Sequence, residues 1–226
     1  MARTRQLSEI RDAARALADQ VNSTFVTDAQ ANFWINQSLN ALWEMVVLAD
    51  PDRYVTEDDV SATAGTKSYA LPSDYYKTRY VDLVSGGERV TIEPYQLGEK
   101  NHYQWLKIYG GPDRLPFVRY RIVGSNLTFE PDPGTQSYKH GYIQLFTELS
   151  SDTDTFDGVA GWEEWAICDV ARRMMIKEEA DPTPVIMDMQ AIEARLKASA
   201  PDRDAGRAPR IQNTRSSASP WWRSAF

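Results

Sequence analysis

Hydrophobic residues recur at two different periods along this chain, and the change of period divides it. From Thr27 to Leu48, Ile35, Leu39, Leu42 and Val46 step by four, three and four residues, the spacing of one helical face. Trp34, Ala41 and Met45 widen that face, and Phe33 and Trp43 lie well off its centre. A helix that is apolar most of the way round needs more than one neighbour to cover it. Thr27 and Gln30 stand at capping-box spacing, so the hydroxyl is expected to accept from the helix start and the glutamine to reach back to Thr27. Asp50-Pro51 stops the helix, because proline lacks an amide donor and restricts the residue before it.

Residues 5–22 predict a preceding helix with a narrower stripe of Leu7, Ile10, Ala14, Leu17 and Val21. The short connection at 22–26 predicts an antiparallel hairpin. Helical periodicity returns after Phe156-Asp157-Gly158. Trp162, Trp165, Ile167, Cys168, Val170, Ala171, Met174 and Met175 predict a broadly apolar helix to about Ala180. Asp181 to Pro184 breaks it, and Val185, Met189, Ile192 and Leu196 predict a fourth helix ending near 199.

Between these helices the period falls to two. Tyr54-Val55-Thr56, Tyr69-Ala70-Leu71, Tyr80 to Val84, Arg89 to Ile92, Trp105 to Tyr109, Phe117 to Val123, Leu127 to Glu130 and Tyr142 to Phe146 carry β-branched and aromatic residues between glycine and proline breaks. Gly86-Gly87 and Gly124-Ser125-Asn126 predict hairpin turns, and Gln96 to Gln104 a short helical turn. The expected fold class is α+β: a bundle of about four helices, an inserted antiparallel β module of about six strands, and an extended C-terminal tail. The corresponding domains are 1–52 with 158–200 as a discontinuous helical bundle, 53–157 as the β insert, and 201–226 as the tail.

Charge sharpens the division. The chain carries a net −7, yet residues 201–226 hold five arginines against Asp202 and Asp204, a net +3, which leaves −10 for the rest. That acidic body argues against a protein that coats DNA, where basic charge is needed to release counterions. A single cysteine, Cys168, excludes an internal disulfide and a multi-thiolate metal site within one chain. The start Met1-Ala2-Arg3-Thr4-Arg5 leads into a polar helix, so no signal peptide is expected. No apolar run approaches the roughly 18 residues of a membrane span, so no membrane partner is expected.

Signatures of chemistry are weak. Gly86-Gly87 and Gly110-Gly111 lack the strand-loop-helix context and lysine of a phosphate loop. No G-x-S-x-G elbow occurs. His102 and His140 have no cysteine or acidic pattern at metal spacing, and each reads as a solvent-facing or hydrogen-bonded residue. Glu163 and Glu164, flanked by Trp162 and Trp165, invite a glycosidase reading. Adjacent helical residues diverge by about 100°, and acids suit the first turn of a helix, so the structural reading is stronger. Glu57-Asp58-Asp59 reads as a solvated acidic patch, and Cys168 as a core residue. No catalytic residue, cofactor or metal is expected, and the alternative of a carbohydrate-binding or carbohydrate-cleaving protein is the weaker one.

The tail differs. Trp221, Trp222 and Phe226 stand in a basic segment with no periodic pattern, and exposed large aromatics call for a covering partner. They read as hot-spot candidates that fold onto another protein.

The order of elements resembles the head-to-tail adaptor (connector) proteins of tailed bacteriophages. The residues that carry the resemblance are "FWINQSLNALWEMVV", "YALPSDYYKTRYVDL", "NLTFEPDPGT" with "YIQLFTEL", and "GWEEWAICDVARRMM" followed by a long tail. The resemblance implies a structural virion protein of the neck, made in the host cytoplasm, with another phage tail or neck structural protein as the alternative. It implies a ring of twelve subunits between the portal and the tail or nozzle proteins, enclosing a channel through which double-stranded DNA passes without sequence-specific binding. It also implies that the tail docks on the portal, with Arg210, Ile211, Arg215, Trp221, Trp222, Arg223 and Phe226 as candidate contacts. Trp43, off the main face of its helix, is the candidate contact between subunits.

Overall fold

A computed structural model describes residues 5–21, 25–100, 118–156 and 161–199. Among these residues it has four α-helices, α1 (Leu7–Leu17), α2 (Asp28–Ala49), α3 (Glu163–Lys177) and α4 (Thr183–Ser199). Among the described residues, seven strands lie between α2 and α3 in sequence: β1 (Val55–Ser61), β2 (Ser68–Ala70), β3 (Tyr75–Ser85), β4 (Glu88–Thr91), β5 (Arg119–Val123), β6 (Asn126–Glu130) and β7 (Ser137–Gln144). The expected α+β class is observed, with helices and antiparallel sheets.

The central helix forms where its spacing says. Ile35, Leu39, Leu42 and Val46 are all buried, and Asp50 caps the end before Pro51. The cap is half of what was expected. Thr27 Oγ1 accepts from the Gln30 N–H at 3.3 Å. The Gln30 side chain turns to another helix instead, and its Oε1 accepts from Lys177 Nζ at 2.7 Å.

α1 stops five residues short of the expected end. Asp19 adopts a left-handed φ of 56°, and the Gln20 N–H closes back onto the Arg15 carbonyl. Aspartate tolerates this conformation better than most residues, so the helix ends with neither glycine nor proline. Leu17 and Val21, expected on the buried stripe, are exposed as a result. α3 ends in the same manner at Glu179, with a φ of 59°. Pairing of Arg11 with Asn32 and of Arg15 with Asp28 runs in opposite directions along α1 and α2, which makes the hairpin antiparallel.

The strands divide between two antiparallel sheets, where a single module was expected. One has the order β1-β7-β3-β4 and the other β2-β6-β5. β7 begins at Ser137, earlier than the expected Tyr142, and Leu145 and Phe146 lie beyond its end. Its first half, Ser-Tyr-Lys-His-Gly, hid the alternation because its inward positions are Tyr138 and His140. The β3–β4 turn uses Gly86 and Gly87 at φ of 61° and 88°, as a tight hairpin requires. Leu97–Glu99 forms one 3₁₀ turn. The Trp105–Tyr109 strand and His102 lie outside the described residues.

Two cores result. Val60, Ala62, Val81, Leu127, Phe129 and Tyr138 fill the space between the sheets. The larger core joins α1, α2, α3 and α4, and receives Ile143 from β7 and Leu149 and Phe156 from the segment that follows. β7 therefore feeds both cores and ties the sheets to the helices.

Candidate functional site

Trp43 was the candidate for contact with a neighbouring subunit. Its side chain is buried in its own chain, at 3% exposure. Tyr76 meets the indole edge-on at a centroid distance of 4.9 Å, and Tyr54 tilts against it at 6.1 Å. The second neighbour demanded by the apolar surface of α2 thus comes partly from the β region. Phe33 and Leu48, at 60% and 82% exposure, carry the open apolar surface of this helix. The candidate portal contacts Arg210, Ile211, Arg215, Trp221, Trp222, Arg223 and Phe226 lie outside the described residues.

A groove of about 560 Å³ opens beside Trp43 and Tyr54. Its far side is the segment 144–156, which leaves β7 and loops back toward α1. The segment has no regular structure for much of its length, so its shape depends on side-chain clamps. Asn36 holds Leu149 twice, donating to its carbonyl at 2.9 Å and accepting from its N–H at 2.8 Å. Asp154 accepts from the backbones of Ser150 and Ser151, both at 2.8 Å. Those bonds hold the Asp154 carboxyl below its ordinary range. Arg11 of α1 fixes the return through Asp152 at 2.9 Å, and the Leu7 N–H donates to the Asp154 carbonyl. The groove is therefore a formed surface, with Phe146 and Phe156 on its wall and Glu148 and Asp154 as its charged residues.

A second polar assembly locks the helices behind it. Asp169 of α3, 5% exposed, accepts from Ser38 Oγ of α2 at 2.7 Å. Arg172 and Arg173 donate to its two oxygens at 2.6 and 3.0 Å, and Arg173 also reaches Gln37. Burial pushes the Asp169 carboxyl up, but Ser38, Arg172 and Arg173 outweigh it and hold it below its ordinary range. Lys177 adds a tie at the other end, donating to the Phe25 carbonyl at 2.8 Å and to Gln30. Every contact here serves to hold helices in place. Helical periodicity points to apolar faces, so the sequence reading missed this polar seam.

Among the described residues, most of the remaining candidates for chemistry are engaged. Glu163 is buried and accepts from the Gly161 N–H at 2.9 Å, whereas Glu164 faces Arg195 at 3.5 Å. The two acids of the glycosidase reading therefore diverge. Glu57 accepts from Tyr80 and Arg89, and Asp59 pairs with Lys139. His140 is buried, with Nε2 at 2.9 Å from Thr78 Oγ1 and its ring stacked on Tyr142. Burial pushes its pKa down, an effect that Asp58 only partly opposes. Cys168 is buried, and burial pushes its thiol up. Among the described residues, no group of acidic, histidine and cysteine side chains is arranged to hold a metal, and no helix is long and apolar enough to cross a membrane.

Comparison with known families says what kind of protein carries this groove. The model of the SU10 adaptor protein family matches residues 5–217. The chain belongs to that family of phage head-to-tail adaptors, and is a phage structural adaptor protein. No curated protein matches the chain.

Proposed function

We propose that this adaptor forms a ring, of twelve subunits, between the portal and the tail or nozzle proteins in the virion neck. Double-stranded DNA passes through the ring without sequence-specific contact. The observation that carries this reading is the family match, which runs from α1 through the helices and sheets and on to residue 217. The matched region thus includes much of the basic tail. Charge agrees with the division of labour. The body of the chain is net −10 and repels phosphates, which suits a channel through which DNA slides. The tail is net +3, carries Trp221, Trp222 and Phe226, and suits anchoring on the portal. In this reading residues 1–52 and 158–200 form the bundle unit, 53–157 the β unit, and 201–226 the docking tail.

The test is portal binding by the full chain and by a variant lacking residues 210–226. The full chain is expected to co-migrate with its portal as a stacked ring in negative stain. The shortened chain is expected to keep its circular dichroism spectrum and to lose the portal. Equal binding by both would remove the tail from the contact.

A further inference from the structure

The chain leaves α4 close to the groove. Leu196 and Lys197, near the end of α4, line a crevice with Ala49 and Trp162. The Arg53 guanidinium lies 5.6 Å from the Trp162 ring and 5.5 Å from the Tyr54 ring. Tyr54 in turn forms one wall of the groove. Twenty-seven residues of the sequence follow Ser199, and they include five arginines, Trp221, Trp222 and Phe226. The described lining of the groove offers Trp43, Tyr54, Phe146 and Phe156 as aromatic surface, Glu148 and Asp154 as acids, and no basic side chain. Its volume of about 560 Å³ lies in the range that holds a ligand of several rings, roughly 300–1,000 Å³.

We propose that in the free subunit the segment Pro220–Phe226 seats in this groove of its own chain, and gives the groove up when the tail docks on its partner. The proposal rests on the reading of the tail as a docking segment. Aromatic rings of the segment pack on aromatic walls, and Arg223 meets the acids of the groove. The intervening 20 residues have a root-mean-square reach of about 25 Å as a flexible chain. Tethering at that length gives an effective concentration on the order of millimolar. At micromolar protein, the segment of the same chain therefore outcompetes that of another.

A second copy offers another apolar occupant, the end of the bundle with Leu17, Val21, Phe25 and Ile176. Charge does not single out that occupant, because Asp19, Asp28, Glu178 and Glu179 are offset there by Lys177 over the Phe25 ring and by Arg15 on Asp28. A subunit cannot fill its own groove this way, because the helix between Phe25 and Trp43 holds the two about 27 Å apart.

Disulfide trapping tests the proposal in the full chain. In a Cys168→Ala background, Thr147→Cys at the groove is combined with Ser224→Cys in the tail, and the thiols are oxidised with glutathione disulfide. The expected product is an intramolecular disulfide, seen by mass spectrometry, forming at a rate independent of protein concentration. Adding Trp221→Ala and Trp222→Ala is expected to slow it about tenfold. An unchanged rate would overturn the proposal, since tethering alone would then explain the bond. Disulfide-linked dimers that grow with protein concentration would also overturn it, and would assign the groove to a second copy. Portal binding of the chain lacking residues 210–226 separates the two readings. Trapping without any tail requirement for the portal removes the portal contact, whereas a tail requirement without trapping removes only the groove.

Discussion

Replacing Asp169 with asparagine is expected to cost about 2–3 kcal/mol of stability. The substitution keeps the volume and removes the charge. Ser38 trades a charge-assisted hydrogen bond in a buried site, worth roughly 1.5–3 kcal/mol, for a neutral one worth about 0.5–1.5 kcal/mol, a loss of about 1–2 kcal/mol. Arg172 and Arg173 each lose a pairing, but their side chains are 29% and 27% exposed, so solvent screening leaves only about 0.5 kcal/mol apiece. In a chain of this size, 1 kcal/mol shifts the melting temperature by about 2–4 °C, so a fall of about 4–12 °C is expected. Far-ultraviolet circular dichroism follows α2 and α3 directly. A Ser38→Ala and Asp169→Asn double-mutant cycle isolates the hydrogen bond, and a coupling of about 1 kcal/mol or more is expected. The sign with pH follows from the depressed carboxyl. The contribution of Asp169 is fully present above the unfolded value of about 3.8, and is lost as pH falls below that through the lower folded value. The substituted protein lacks this acid-dependent loss. A change below about 0.5 kcal/mol, or no coupling to Ser38, would refute the claim that this seam fixes α2 on α3.

Three further perturbations probe other parts. His140 is held neutral by burial, so the fold binds fewer protons than the unfolded chain; stability is expected to fall as pH drops through about 6.5, and His140→Gln should flatten the urea midpoint across that window. A methyl group at Gly141 would overlap the Tyr80 ring, so Gly141→Ala should destabilise the four-stranded sheet by about 1–3 kcal/mol, with Tyr80→Ala on top recovering part of the loss; full additivity would show that the overlap is relieved elsewhere. Trp43→Ala empties a site covered by Tyr54 and Tyr76, and should cost about 3–5 kcal/mol in the isolated chain by thermal unfolding; an unchanged melting temperature would refute a role for Trp43 in the chain's own core.

Periodicity was enough to place the helices. The steps of Ile35, Leu39, Leu42 and Val46 found the buried face of α2, and Val185 and Leu196 mark the face of α4 that is buried. It erred where a local conformation ended a helix without a glycine or proline, as at Asp19. It also erred for β7, where His140 and Gly141 break an alternation that geometry preserves. The burial of Trp43 was out of reach for a different reason. Its covering rings, Tyr54 and Tyr76, come from segments whose distance in space no local pattern encodes. The same holds for the groove, whose far wall is held by contacts such as that of Asn36 with Leu149, residues 113 positions apart. The acids of the glycosidase alternative needed only helix geometry to be set aside, and they do diverge.

The most direct test of the account is a reconstruction of the neck of the native particle by electron cryomicroscopy. The account expects a ring of this chain directly beneath the portal, with α2 and the two sheets recognisable in each subunit and residues from Arg210 onward in contact with the portal. A particle whose portal meets the tail with no layer of this chain between them would contradict it.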